Sequence, residues 1–407
     1  MIASPLFSGR TPLSSKLVLV IPLILFVFPG AVSIGQENAS GPSTEEESVK
    51  EPVRDQTEKS GSSTAEAKST ETLPDGNVVR GKWNTGWSVY LDNDLVIGQD
   101  QEYTGGIAIN LSGRRAKEWF FSLDPILGFI NDVTGVSDLG SDHRSFTRHS
   151  FEFGVTAFTP DNISTDRPLP DQHPYAGLVF VNNVRQRTLP SEGTTYKSVF
   201  SLGVLGTSIP EEAQKITHDV TGSEDPEGWE NQISDGGEPT ARYTLLRQDL
   251  LYTVRQGEFG DLDLKSSFGG SVGYVTQLQG GFNVRWGRLT TPSWSYSPDF
   301  AEYVNMGSPV HRETQADPFP HEIYVWAGIH ARLRGYNALL EGQFRDSEVT
   351  FDRNELNSIL GEASLGVACG FQTGTRVSVG IRGRTPEIDE GEENRPVWGT
   401  LMISQAY

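Results

Sequence analysis

The chain has 407 residues, with 33 Lys and Arg against 53 Asp and Glu, a formal net charge of -20 and one cysteine, Cys369. That balance excludes nucleic acid as a partner, because phosphate recognition needs clustered cations. A single cysteine excludes internal disulfides, so backbone pairing and side-chain packing must supply the stability.

Residues 1–33 read as a secretory signal peptide. Arg10 and Lys16 precede an apolar run from Leu17 to Phe28, and Gly30-Ala31-Val32-Ser33 follow as small residues. The run is shorter than the roughly 20 residues a membrane-spanning helix needs, and no later stretch supplies one. Residues 34–80 are rich in Glu, Ser, Thr and Lys and poor in large apolar side chains, which predicts a disordered acidic linker carrying part of the net charge. Residues 81–407 are expected to form one large domain.

In that domain the recurrent signal is period-two alternation, the mark of a strand whose faces meet different surroundings. Ile107, Ile109 and Leu111 alternate with Ala108, Asn110 and Ser112. Val325, Ala327, Ile329 and Ala331 oppose Trp326, Gly328, His330 and Arg332; Leu365, Val367, Cys369 and Phe371 oppose Ser364, Gly366, Ala368 and Gly370. In 376–382 the odd positions are apolar, and the even ones are Arg376, Ser378, Gly380 and Arg382. A soluble sandwich also alternates. The export signal, strand candidates longer than ten residues, glycine and aromatic residues spread through them, and a last stretch from Val397 that closes on Tyr407 favour an all-β, antiparallel transmembrane barrel.

Along the chain, a strand from Trp87 ends in Asp92-Asn93-Asp94, and the next begins at Tyr103-Thr104-Gly105-Gly106. Carboxylate, carboxamide and hydroxyl oxygens so grouped could hold a hard cation such as calcium, but on chemistry alone a hairpin turn is the plainer reading. Pro160, Pro170 and Pro174 belong in loops at a barrel rim. From Ser208 to Gly222 the pattern turns helical, with a Ser208/Glu211 capping box, Pro210 in the first turn and Gly222 at the end. Ala213, Ile216 and Val220 mark the expected packing side, and Gln214 and His218, four apart, point away from it. Taken alone, such a histidine is ordinarily a solvated side chain. The acidic run from Gly222 to Gln232 reads as a loop. Gly269-Gly270-Ser271-Val272-Gly273 has the spacing of a nucleophile elbow, yet strand alternation continues through it where a helix would be required.

In this order, Asn93-Asp94, Tyr103-Thr104-x-Gly106, Gly203-Val204-Leu205-Gly206, Glu212-Ala213-Gln214, His218, Gly222 and Gly228-Trp229-Glu230-Asn231-Gln232 resemble the lipid A 3′-O-deacylase family of outer-membrane barrels, from Trp87 to the C-terminus. The resemblance implies a twelve-stranded barrel whose active site lies between the wall and a helix from an outward-facing loop, here residues 208–222. It implies lipid A or lipopolysaccharide as substrate, His218 as the catalytic histidine, Gln214 and Glu224 in support, and Asn93, Asp94 and Thr104 as the asparagine, aspartate and hydroxyl residue. On this footing His218 is the expected general base for water, and calcium on Asp94, Asn93 and Thr104 the expected stabiliser of the oxyanion; Thr104 as a nucleophile stays open. The sequence departs from the family at Gln172-His173-Pro174-Tyr175-Ala176-Gly177, where Asp-Arg-Pro-Tyr-Ala-Gly is frequent, so a guanidinium is lost or replaced by a titratable ring. An outer-membrane phospholipase and a non-catalytic pore or structural barrel are the rival expectations.

Overall fold

The computed structural model describes residues 70–72, 78–80, 86–93, 102–140, 145–170, 172–221, 225–257, 260–295, 321–345, 347–389 and 396–406. Within the stretch expected to be an irregular linker, β1 (Thr70–Thr72) and β2 (Val78–Arg80) form a small antiparallel ladder. Its Thr and Val residues have high strand propensity.

Twelve further strands follow in chain order: β3 (Gly86–Asn93), β4 (Glu102–Ser112), β5 (Phe146–Thr159), β6 (Ala176–Leu189), β7 (Thr194–Leu205), β8 (Glu238–Val254), β9 (Asp261–Gly273), β10 (Val275–Arg288), β11 (Glu322–Asn337), β12 (Ile359–Gly370), β13 (Thr375–Arg384) and β14 (Val397–Ala406). Each pairs antiparallel with the next, and β14 pairs with β3, so the sheet closes on itself. Closure removes the unpaired edges that an open sheet would expose to lipid. Among the described residues no helix is long and apolar enough to cross a membrane.

The alternation read from the sequence sorts side chains between lumen and exterior. Phe268, Phe282, Trp286, Ile329, Leu365 and Val379 stand exposed on the outside, as expected where the surroundings are hydrocarbon. Tyr90, Phe158, Phe180, Tyr324, Trp326 and Trp398 fill the interior. Ion pairs surround them: Glu362 lies 2.8 Å from Arg332 and 3.3 Å from Arg382, Glu322 lies 2.8 Å from Arg376, and Arg285 pairs with Asp263. The lumen is therefore a packed core. Ser271 belongs to β9 and donates to the Val275 carbonyl at 2.8 Å, so the elbow-like glycine run is a strand, as its alternation indicated.

A ten-residue helix among the described residues is not evident in the sequence. α1 (Asp124–Val133) begins with Pro125 in its first turn and buries Asp124, Leu127, Gly128 and Asn131. It lies on the outside of the barrel. Leu178, Phe180 and Val184 of β6 are buried side chains at even positions, so the odd Asn183 and Arg185 face outward, and these hold α1. The Leu123 amide donates to Asn183 Oδ1 at 2.7 Å, Asn131 Nδ2 to Ser198 Oγ at 2.8 Å, and Arg185 Nη2 to Asp124 Oδ2 at 2.6 Å. His149 Nδ1 is 2.9 Å from Asp124 Oδ1. A Cβ on Gly128 would sit 2.6 Å from Arg185 Nη2, so glycine is what lets the helix settle on the guanidinium.

Burial by itself would raise the Asp124 pKa, but the hydrogen bonds from His149 and Arg185 outweigh it and hold the carboxyl well below its usual range. A depressed carboxylate contributes stability above its unfolded pKa of about 3.9, and that contribution is lost as pH falls through the lower, folded value. Hydrogen-exchange protection of residues 124–133 should accordingly persist down to about pH 4 and decline below it. Asp124→Asn should show the lost protection already at neutral pH.

Candidate active site

The second helix, α2 (Ile209–Thr221), occupies nearly the expected range, and its first turn is closed by the Glu212 amide donating to the Ser208 carbonyl at 3.1 Å. It packs on β6 and β5. Pro210 sits against Gly177, where a Cβ would come within 2.5 Å of Pro210 Cγ. Gly177 is an odd, outward position of β6, so α2 also lies on the outer wall, at the opposite rim from α1.

The strand register explains the seat. Asn93 pairs with Gly105, Gly105 with Ala157, and Ala157 with Gly177, so one outward row crosses β3, β4, β5 and β6. Three of its four residues are Gly or Ala, which leaves a shallow trough for a helix. Eight residues separate Pro210 from His218, about 12 Å of helix, and three strand spacings separate Gly177 from Asn93, about 14 Å. A helix that starts over β6 and passes over β5 has the length to carry His218 toward the β3 and β4 side of that row.

The face of α2 turned to the wall is the reverse of the one expected. Gln214 is buried and His218 is only 1% exposed, whereas Ala213 is exposed and Ile216 is 49% exposed; the Val220 side chain lies outside the described residues. The amphipathic rule used on the sequence assumes water outside. At the rim of a barrel the outside is apolar, so the isoleucines turn away from the protein and the polar pair turns inward against the wall.

A buried scaffold fixes the pair. Trp229 Nε1 donates to Gln214 Oε1 at 2.8 Å. The Trp229 ring lies 4.9 Å from that of Tyr175 and clusters with Ala157 and Ile163. Tyr175 donates its hydroxyl to the Ile163 carbonyl at 3.2 Å, and its own carbonyl accepts from the Ile233 amide at 2.8 Å. Part of the run read as an acidic loop is thus built into the wall. Tyr175 and Gly177, quoted only as part of a loop motif, are positioning residues. Replacing Gly177 with Val should lift the start of α2 and cost at least tenfold in activity while the barrel still folds, a split visible by comparing turnover with electrophoretic heat-modifiability.

Of the other expected site residues, Asn93 ends β3, half-buried and facing outward. Thr104 lies in β4, with its side chain outside the described residues, and Asp94 and Glu224 fall outside them altogether. A Cβ on Gly105 would stand 2.7 Å from the Asp92 carbonyl oxygen and 3.4 Å from Asn93 Nδ2. Glycine is what lets β4 approach the backbone of β3 this closely.

His173 takes no part in this face. It is buried against Phe158, with ring centroids 4.9 Å apart, and its Nδ1 donates to the Pro174 carbonyl at 2.8 Å. Phe158 belongs to the interior cluster. Burial pushes the His173 pKa down to about 4, so the ring is neutral at physiological pH. Of the two outcomes the sequence allowed at this position, the cation is lost.

The family model described as outer membrane protein LpxR matches residues 63–407. The chain belongs to the LpxR family. LpxR from Salmonella typhimurium superposes with a TM-score of 0.61 at 15% identity, covering 79% of this chain and all of that one. Looser likenesses are the β domain of the Bordetella autotransporter Brka (TM-score 0.38, 10% identity, 80% of this chain and 99% of that one) and the translocator domain of NalP from Neisseria meningitidis (TM-score 0.35, 8% identity, 80% and 89%). No curated protein matches. Membership of the LpxR family bears out the resemblance seen in the sequence, places the twelve-stranded barrel in the outer membrane, and supports a lipid A deacylase.

Proposed function

We propose that this LpxR-family barrel hydrolyses a 3′-O-linked acyl ester of lipid A in the outer leaflet, with His218 as the general base. The observation that carries this reading is the burial of Gln214 and His218 on the wall-facing side of α2, a helix whose start rests on Gly177, at the other end of the outward row from Asn93. His218 takes a proton from water as the oxygen attacks the ester carbonyl, and the tetrahedral adduct then collapses by breaking its bond to the sugar oxygen, which takes that proton from His218 and leaves as the hydroxyl while the fatty acid is released. Gln214, held by Trp229, fixes the turn of helix from which His218 projects. Glu224 steadies the ring in its protonated form. Asp94, Asn93 and Thr104 are the residues that would hold calcium, and the ion would supply positive charge for the developing oxyanion. Thr104 is needed here as an oxygen donor only, because water serves as the nucleophile. Residues 1–33 serve as the export signal.

The test is mass spectrometry of lipid A incubated with the purified protein, with calcium or with a chelator, beside a parallel incubation with glycerophospholipid. Loss of one ester-linked acyl chain from lipid A, only with calcium, is the expected result. Acyl release from the phospholipid alone would make the protein a phospholipase, and unaltered lipids throughout would leave a non-catalytic barrel.

A further inference from the structure

At the rim opposite α2, the segment around α1 presents two surfaces that the deacylase reading leaves unused. The first is apolar: Phe120 is 92% and Phe129 68% exposed, and Trp119, Phe121, Ile126 and Val133 are exposed beside them. Trp119 packs edge-on against Phe151 of β5 with ring centroids 5.3 Å apart, and Phe153 and Leu202 are exposed farther along the wall. The second is a polar cleft of about 280 Å³ between α1 and the wall, lined in part by Lys117, Asp124, His149, Arg185, Arg187 and Ser198. Among these, three cations face one carboxylate. Arg185 is taken by Asp124, but Arg187 donates to the carbonyls of Ser137 and Leu139 and to the Thr147 hydroxyl, all neutral acceptors, and Lys117 is exposed. The cleft lies within four residues of the ends of β5 and β6, roughly 13 Å along a strand.

A surplus of cations behind a helix whose other face is apolar is complementary to an anionic glycerophospholipid, with phosphate in the cleft and acyl chains along the phenylalanines. We propose that the cleft between α1 and the outer wall is a binding site for such a lipid, which clamps α1 to the barrel. That this lipid belongs to the inner leaflet rests on the assignment of α2 to the lipid A side; the binding itself does not.

The test titrates the full-length protein in neutral micelles with phosphatidylglycerol, phosphatidylcholine or inorganic phosphate and reads adducts by native mass spectrometry. One phosphatidylglycerol per barrel, retained in preference to phosphatidylcholine, is expected, and Lys117→Glu should reduce its occupancy about tenfold. Lys117 is exposed, so that variant should fold and keep wild-type activity; Arg187→Gln should lower occupancy in the same direction. Equal retention of both lipids, displacement of the adduct by inorganic phosphate at the same concentration, or unchanged occupancy in Lys117→Glu would overturn the proposal. Deacylation is assayed in the same samples, and its absence in the wild type would strike the function proposed above while leaving the adduct result to stand.

Discussion

His218→Ala is expected to slow acyl release from lipid A by about 10³-fold, within the range over which a positioned general base contributes. That corresponds to roughly 4 kcal/mol of transition-state stabilisation. The side chain is buried under α2, so truncation also leaves a small void, and His218→Gln, which fills the space without basicity, separates the two effects. Both variants should fold, because the barrel is closed by strand pairing in which α2 has no share. Gln214→Ala should cost less, since it removes an anchor and leaves the base in place. Activity of His218→Gln within threefold of wild type would show that the base lies elsewhere and would sink the mechanism.

The second large effect concerns the interior. Glu362 serves as a carboxylate to both Arg332 and Arg382, at 2.8 and 3.3 Å, and all three side chains are buried. Glu362→Ala leaves two guanidinium groups without that partner, and breaking a buried pair in this way typically costs about 3–5 kcal/mol. The urea midpoint for refolding into micelles should fall accordingly, with Glu362→Gln intermediate because the amide still accepts a hydrogen bond. Activity per folded molecule should be unchanged, since the network lies inside and α2 outside. A shift below about 1 kcal/mol would mean that the lumen rearranges around the deletion, contrary to a packed core.

The strands were legible because a single-layered wall imposes the simplest pattern a sequence can carry. In 376–382 every odd side chain meets lipid and every even one meets the interior, and the structure puts Val379 and Ile381 outside and Ser378 and Arg382 inside. The helices were harder for a common reason. The caps of α2 are visible in the sequence, but a rule that assumes water outside inverts its faces: Gln214 and His218 are buried and Ile216 is exposed. α1 was missed because Leu127 is apolar and faces the wall while Ile126, Phe129 and Val133 are apolar and face away, which blurs the 3.6-residue period; Asp124-Pro125 was its one start signal. The outward row of Asn93, Gly105, Ala157 and Gly177 was not readable, because no sequence spacing gives the register between strands. His218 and Gln214 stand out in the sequence through their place in an order of motifs, whereas the burial of their neighbours Trp229 and Tyr175 depends on how the loops fold onto the wall.

That α2 sits on the outside of a filled barrel sets the dimensionality of its encounters. A lipid reaches such a face by sliding along the plane of the leaflet, and a released acyl chain departs the same way, with no passage through the protein. Turnover should then scale with the mole fraction of substrate in the surface and be indifferent to its bulk concentration, and diluting lipid A with inert lipid in a vesicle should slow the reaction where diluting the vesicles does not.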